Sequence, residues 1–258
     1  MAETPEAREF SGKVAIVTGG SAGVGFAVAR ALARAGAQVA IAGRRQQTLA
    51  RAAAMITEAT GAEVLALAAD VAEAGDCERI VTATIERFGA LDVLVNNAAL
   101  FALLPLLEAD ADEAARFFAT NLAGPLLCAR AFARWAFAEG RGGAIVNISS
   151  IAGARPAPGC GLYSATKAAL DMLTRSMALE WGPRGVRING VAPGHVATEG
   201  VIADFRSGRL DEQAMVQSIP ARRIADVDDI ADAVLFLCSD KARHIMGAVL
   251  TVDGGEGM

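Results

Sequence analysis

Short apolar runs alternate along the chain with longer Ala-rich stretches whose apolar positions recur every three to four residues. The runs at 14–18, 38–42, 63–68, 91–96, 144–149, 187–191 and 248–252 predict seven strands. The helical pattern covers 24–35, 46–60 (ended by Gly61), and segments near 73–88, 112–138, 164–181 and 227–238. The strands are apolar throughout rather than alternating, which requires cover on both faces. The expected fold class is α/β: a doubly wound, seven-stranded parallel sheet with helices on both faces and ligands at the carboxyl ends of the strands. Neither a linker nor an internal repeat divides the chain, so 1–258 is expected to form a single domain. The segment 197–220 is polar, carries Gly200 and Gly208, and is expected to act as a substrate lid.

Composition narrows the function classes. With 258 residues, 53% hydrophobic and 21% charged, the chain has material for one large core. A net charge of -5 with no basic block argues against a nucleic-acid partner. Cys77, Cys128, Cys160 and Cys238 are far apart and form no CxxC, so neither a disulfide framework nor a metal site is expected. The first ten residues are polar and acidic, unlike a signal peptide, and no apolar run reaches membrane-spanning length. A cytoplasmic protein with no membrane partner is the expectation.

The first strand runs into Thr18-Gly19-Gly20-Ser21-Ala22-Gly23-Val24-Gly25, which opens the first helix. Glycines let the backbone turn tightly, and bare N–H groups at a helix N-terminus attract phosphate. At the end of the second strand, an acidic residue would accept from a ribose 2′-hydroxyl and repel a 2′-phosphate. Gly43-Arg44-Arg45 stands there instead, and guanidinium groups suit a phosphate. NADP(H) is therefore the preferred cofactor, with NAD(H) also admitted.

The chain contains a single tyrosine, in Tyr163-Ser164-Ala165-Thr166-Lys167. Four residues apart on a helix, Tyr163 and Lys167 share one face. A free phenol ionises near pH ~10, and a neighbouring ammonium lowers that value, so the pair could exchange a proton with a reacting oxygen. Ser149 and Ser150 fall at the end of the fifth strand. A hydroxyl there could stabilise a developing alkoxide. One of the two, Ser149, is read as capping the strand–loop junction.

Together, the TGxxxGxG turn, Asn96-Asn97-Ala98, a serine thirteen residues before YxxxK, and Pro193-Gly194 with Thr198 resemble the short-chain dehydrogenase/reductase family, from about Lys13 to Gly255. The resemblance implies a Rossmann fold of the compact single-domain branch and an oxidoreductase moving a hydride between a nicotinamide cofactor and a ketone or secondary alcohol. It implies Tyr163 as general acid/base, Lys167 lowering its pKa and holding the nicotinamide ribose, and Ser150 orienting the carbonyl. Asn121 matches the fourth catalytic position. The glycine turn (Gly19, Ser21, Gly23, Val24, Gly25), Arg44, Arg45, Asp70, Val71, Asn97, Ala98, Pro193, Gly194, Val196 and Thr198 are implied to bind cofactor. Pro125 lacks the N–H that an α-helix would aim at the Asn121 carbonyl, leaving that carbonyl open to a water of the family's proton relay. The chain departs from the family's usual NNAG at Ala99.

Leu100, Phe101, Leu103, Ala152, Cys160 and residues from His195 onward are expected to line a mostly apolar substrate pocket. The alternatives are a 3-oxoacyl-[acyl-carrier-protein] reductase, with Arg141 and Arg184 at places where relatives read the acidic carrier, and a non-catalytic nucleotide-sensing protein. Retention of Asn121, Ser150, Tyr163 and Lys167 disfavours the latter. The helices around 117–137 and 168–181 are apolar on more than one face, and the resemblance implies a homodimer or homotetramer. Cofactor choice has a direct test. The wild type should show a higher kcat/KM with NADP than with NAD, and Arg44→Ala should erode that ratio about tenfold, about one charge-assisted hydrogen bond's worth. A wild-type preference for NAD would contradict the assignment.

Overall fold

All seven apolar runs form strands in the computed structural model, which describes residues 9–258. The reading of the amino-terminal stretch falls, for residues 1–8, outside the described residues. The strands are β1 (Val14–Thr18), β2 (Gln38–Gly43), β3 (Val64–Ala68), β4 (Val93–Asn96), β5 (Gly143–Ile148), β6 (Val186–Pro193) and β7 (Val249–Val252). They make one sheet in the order β3-β2-β1-β4-β5-β6-β7, parallel at every pairing. The helices are α1 (Gly23–Arg34), α2 (Gln46–Thr60), α3 (Ala74–Phe88), α4 (Ala111–Phe118), α5 (Gly124–Ala138), α6 (Gly161–Trp181), α7 (Glu199–Arg206), α8 (Glu212–Ser218) and α9 (Val227–Cys238).

Two cores follow from the two-residue period of the strands. Ala15, Val17, Val39, Ile41 and Val95 face Val28 and Leu32 of α1, Leu49 and Ile56 of α2, and Ile230 and Val234 of α9. Their neighbours Val14, Ile16, Ala40, Leu94 and Ile145 face Ile80 of α3, Phe132 of α5 and Met177 of α6. Fully burying a side chain such as Phe132 contributes on the order of 1.5–3 kcal/mol. All four cysteines are free and buried. No helix of the described residues is long and apolar enough to cross a membrane.

Strand order reverses between β1 and its two neighbours, β2 and β4, which opens a crevice at the carboxyl ends of the strands. Glycine is required there by close approach. A Cβ on Gly25 would stand 2.3 Å from the Gly19 carbonyl oxygen and 2.4 Å from Asn97 Nδ2.

The long helix expected over 112–138 is broken. Residues Ala119–Ala123 form a π turn in which the Gly124 N–H reaches back to the Ala119 carbonyl. Immediately before Pro125 the backbone therefore bonds five residues back rather than four. Pro125 occupies the first turn of α5, where a missing N–H costs little.

Candidate active site

β5 ends at Ile148, so Ser149 and Ser150 emerge at the crevice end of the sheet. Ser150 opens a 3-10 turn (Ile151–Gly153), its Oγ accepting from the Ala152 N–H at 3.1 Å. Ser149 is buried, and its hydroxyl reaches the Lys167 carbonyl at 3.5 Å, a structural bond. α6 starts at Gly161, which places Tyr163 and Lys167 in its first two turns.

Lys167 is 2% exposed. Its Nζ donates to the Ile148 carbonyl at 2.6 Å and lies 5.5 Å from the centre of the Tyr163 ring. Burial pushes the ammonium down to about 8, opposed by the carboxylate of Asp171 one turn further on. The edge of Phe101 meets the Tyr163 ring at 5.1 Å and 87°. Burial pushes the phenol above its ordinary value, while the nearby Ser150 hydroxyl draws it back. Contrary to the expectation that Lys167 lowers the phenol, burial dominates and Ser150 is the group that draws it back.

Asn121 is fully buried and joins three elements. Its Oδ1 accepts from the Leu100 N–H at 2.7 Å, and its Nδ2 donates to the Leu100 carbonyl at 2.9 Å and to Thr166 Oγ1 at 3.1 Å. Thr166 donates in turn to the Tyr163 carbonyl at 2.7 Å. The π turn thus fixes both the loop carrying Phe101 and the helix carrying Tyr163.

The crevice beside this group fits a dinucleotide. The first turn of α1 has no side-chain cap and no acidic residue, so its free N–H groups remain for an anion. Asn97 Nδ2 donates to the Thr18 and Gly19 carbonyls at 2.9 and 3.2 Å, while Thr18 Oγ1 accepts from the N–H groups of Asn97 and Ala98 at 3.0 and 3.1 Å. Gly23 has φ of 53°, and a Cβ there would lie 3.3 Å from Thr198 Cγ2, so the far wall of the crevice is close. Thr198 caps α7, and Val196 bridges to Ala225. Gly194, just beyond Pro193, donates its N–H to the Val252 carbonyl at 3.1 Å. Asp70 accepts from the Ala72 N–H at 3.0 Å, with Val71 buried beside it. Arg44 and Arg45 are exposed and make no ion pair among the described residues, and Ser21 lies across from Gly43.

Residues 19–256 match the family model described as enoyl-(acyl carrier protein) reductase. A sorbitol dehydrogenase from Cereibacter sphaeroides is 38% identical, over 96% of this chain and 99% of its own. A 3-oxoacyl-[acyl-carrier-protein] reductase from Staphylococcus aureus is also 38% identical, over 94% and 97%. The solved structure of a double mutant of a short-chain dehydrogenase/reductase from Serratia marcescens superposes with a TM-score of 0.87 at 33% identity, over 97% of this chain and 100% of that one. The chain belongs to the short-chain dehydrogenase/reductase family.

As a member of that family it is an oxidoreductase acting on alcohol and ketone substrates. The structure brings Ser150, Tyr163, Lys167 and Asn121 together at one end of the sheet, beside the glycine turn, Asn97 and Thr198. Two residues were missed in the sequence. Asp171 continues the spacing of four from Tyr163 and Lys167, which is a readable signal. Burial raises its carboxyl, while Ser149, Arg175 and Lys167 lower it, and its Oδ1 is buried without a partner. Glu256 contacts His195 from 61 residues away, and no local pattern announces it.

The state of Lys167 leads to a pH effect on stability. Its folded value is about 8 against an ordinary 10.5, so between these the unfolded chain holds a proton that the native state has released. Stability contributed by this group therefore rises with pH across that window, by on the order of 1 kcal/mol per pH unit. Urea unfolding at pH 8 and pH 10 should show a larger gain for the wild type than for Lys167→Met. Parallel behaviour of the two proteins would contradict the assigned burial.

Proposed function

We propose that the protein is an NADP(H)-preferring enzyme that moves a hydride between the cofactor and a ketone/secondary-alcohol pair, with Tyr163 as its acid/base. The observation that carries this reading is the convergence of the Tyr163 phenol, the Ser150 hydroxyl and the buried Lys167 ammonium beside a crevice whose helix N-terminus is uncapped. When bound, the cofactor supplies or accepts the hydride. In the reducing direction, Ser150 donates a hydrogen bond to the carbonyl oxygen, holding it against the phenol. Tyr163 releases its proton to that oxygen as negative charge develops there. A phenol kept protonated by burial is in the correct state to act as that acid. Lys167 holds the cofactor side of the site, and Asn121 fixes the loop and helix around it. Ser21, Arg44 and Arg45 receive the 2′-phosphate. Asp70 and Val71 flank the adenine. Gly19, Gly23, Val24, Gly25, Asn97, Ala98, Pro193, Gly194, Val196 and Thr198 line the rest of the path.

The carrier-protein alternative is disfavoured by position. Arg141 and Arg184 lie just before β5 (Gly143–Ile148) and β6 (Val186–Pro193), at the amino ends of the strands and away from the crevice. Arg141 pairs with Asp92 at 3.2 Å, and the Arg184 guanidinium lies 3.6 Å from the Phe137 ring centre. A nucleotide sensor without turnover would not need the four-residue catalytic group. The single domain, with α7 and α8 as a closing lid over the cleft, and a cytoplasmic location complete the reading. Phe118, Met172 and Leu179 leave apolar surface on α4 and α6, which favours a homodimer or homotetramer.

Replacing Tyr163 with Phe removes only the proton-carrying oxygen. Cofactor oxidation with a ketone panel should slow by about 10²–10⁴-fold in kcat, with the cofactor Kd nearly unchanged. A rate near that of the wild type would overturn the acid/base assignment.

A further inference from the structure

The chain's last residues fold back over the crevice end of the sheet. Both oxygens of Glu256, whose side chain is 13% exposed, go to one partner. Oε2 accepts the His195 backbone N–H at 3.0 Å, and Oε1 meets the His195 ring Nδ1 at 2.5 Å. The turn carrying Glu256 is well braced. Asp253 accepts from the N–H groups of Gly255 and Gly257 at 2.9 and 2.7 Å. Arg155 donates to the carbonyls of Glu256 and Met258 at 3.1 and 2.8 Å. A side chain at residue 194 would collide with this arrangement, since a Cβ on Gly194 would lie 2.6 Å from Glu256 Oε2.

This places the pair on the substrate side of the cleft. Arg155 follows the 3-10 turn that Ser150 opens, and Gly257 approaches Ile151 of the same turn. His195 leaves the carboxyl end of β6, the strand next to β5. Glu256 therefore spans from the loop of the carbonyl-holding serine to the loop of the histidine.

The hydrogen bonds also decide which atom the ring presents. An ionised carboxylate can only accept, so Nδ1 carries the proton, and Nε2 of the neutral ring is left as an acceptor. A carboxylate on one ring nitrogen fixes both the tautomer and the ring plane. The side chain is 47% exposed, and Nε2 has no partner among the described residues. A histidine oriented this way suits a ligand with a hydrogen to donate.

We propose that His195, aimed by Glu256, is a specificity-determining residue whose Nε2 accepts a hydrogen bond from a hydroxyl group near the reacting carbon, so that the substrate is a neutral hydroxyketone or polyol. The inference rests on the hydride-transfer reading above. It revises the apolar pocket expected from sequence. Phe101 and Leu103 supply apolar wall, but the Glu256–His195 pair adds a fixed polar contact. A simple ketone or a 3-oxoacyl chain has no donor to offer Nε2. A 2-oxo acid brings a carboxylate towards Glu256, and like charges repel.

The test compares butan-2-one, 1-hydroxybutan-2-one, 4-hydroxybutan-2-one and erythrulose as substrates of the wild type, His195→Leu, Glu256→Leu and Glu256→Gln. The quantity read is kcat/KM for each hydroxyketone divided by that for butan-2-one. Dividing each variant's ratio by the wild type's cancels intrinsic carbonyl reactivity. His195→Leu and Glu256→Leu should lose about tenfold or more of this selectivity for at least one hydroxyketone, about one hydrogen bond's worth. Glu256→Gln keeps one oxygen able to accept from Nδ1–H but turns its NH2 towards the His195 N–H, so it should lose less than Glu256→Leu. Equal ratios in wild type and His195→Leu would overturn the proposal while leaving hydride transfer intact. So would losses shared alike by all four ketones. Failure of every ketone to oxidise the cofactor would instead overturn the hydride-transfer reading, and this inference with it.

Discussion

A positive charge held out of water organises the catalytic end of this molecule. The Lys167 ammonium is buried and has one close partner, the Ile148 carbonyl at the last residue of β5. Burying such a charge without a partner would cost several kcal/mol, so the bond is a strong constraint on how α6 lies against the sheet. That placement sets Tyr163 at the crevice end of the sheet, near enough to Ser150 for the hydroxyl to draw the phenol's pKa down. Asn121 enforces the same arrangement from the other side, because its amide is fully used by Leu100 and Thr166. These groups are positioned by bonds made behind them.

The crevice obeys a complementary rule. Where a phosphate is to approach, the chain removes side chains and leaves donors uncapped. Gly25 has no room for a Cβ against the Gly19 carbonyl, and Asn97 ties that same turn to β4. The result is a rigid wall of N–H groups at the N-terminus of α1, facing Thr198 across a narrow gap. Sequence identity alone does not choose the substrate, since a polyol dehydrogenase and a carrier-protein reductase are equally similar to this chain.

Much of this was legible in the sequence. The seven strands, their parallel packing and the glycine turn follow from short-range periodicity and turn chemistry. The spacing of Ser150, Tyr163 and Lys167 places them at one strand end and on one helix face. Three features were not legible, each for a physical reason. The π turn at Ala119–Ala123 inserts a wider turn within a continuous apolar pattern, and a period near 3.6 does not register it. The direction of the Tyr163 shift is set by burial, whereas sequence spacing shows only that Tyr163 and Lys167 are neighbours. Glu256 meets His195 through the tertiary fold, after α7, α8, α9 and β7 have intervened.

Because Tyr163 is the only tyrosine, the ultraviolet absorbance of tyrosinate reports this one phenol directly. A pH titration of the wild type, free and with oxidised cofactor bound, is the most direct test of the central claim. The account predicts ionisation above the usual range of a phenol in the free protein, where burial governs, and a lower midpoint once positive charge is brought to the cleft. A phenol already ionised near neutrality in the free protein, or a midpoint that cofactor does not move, would contradict it.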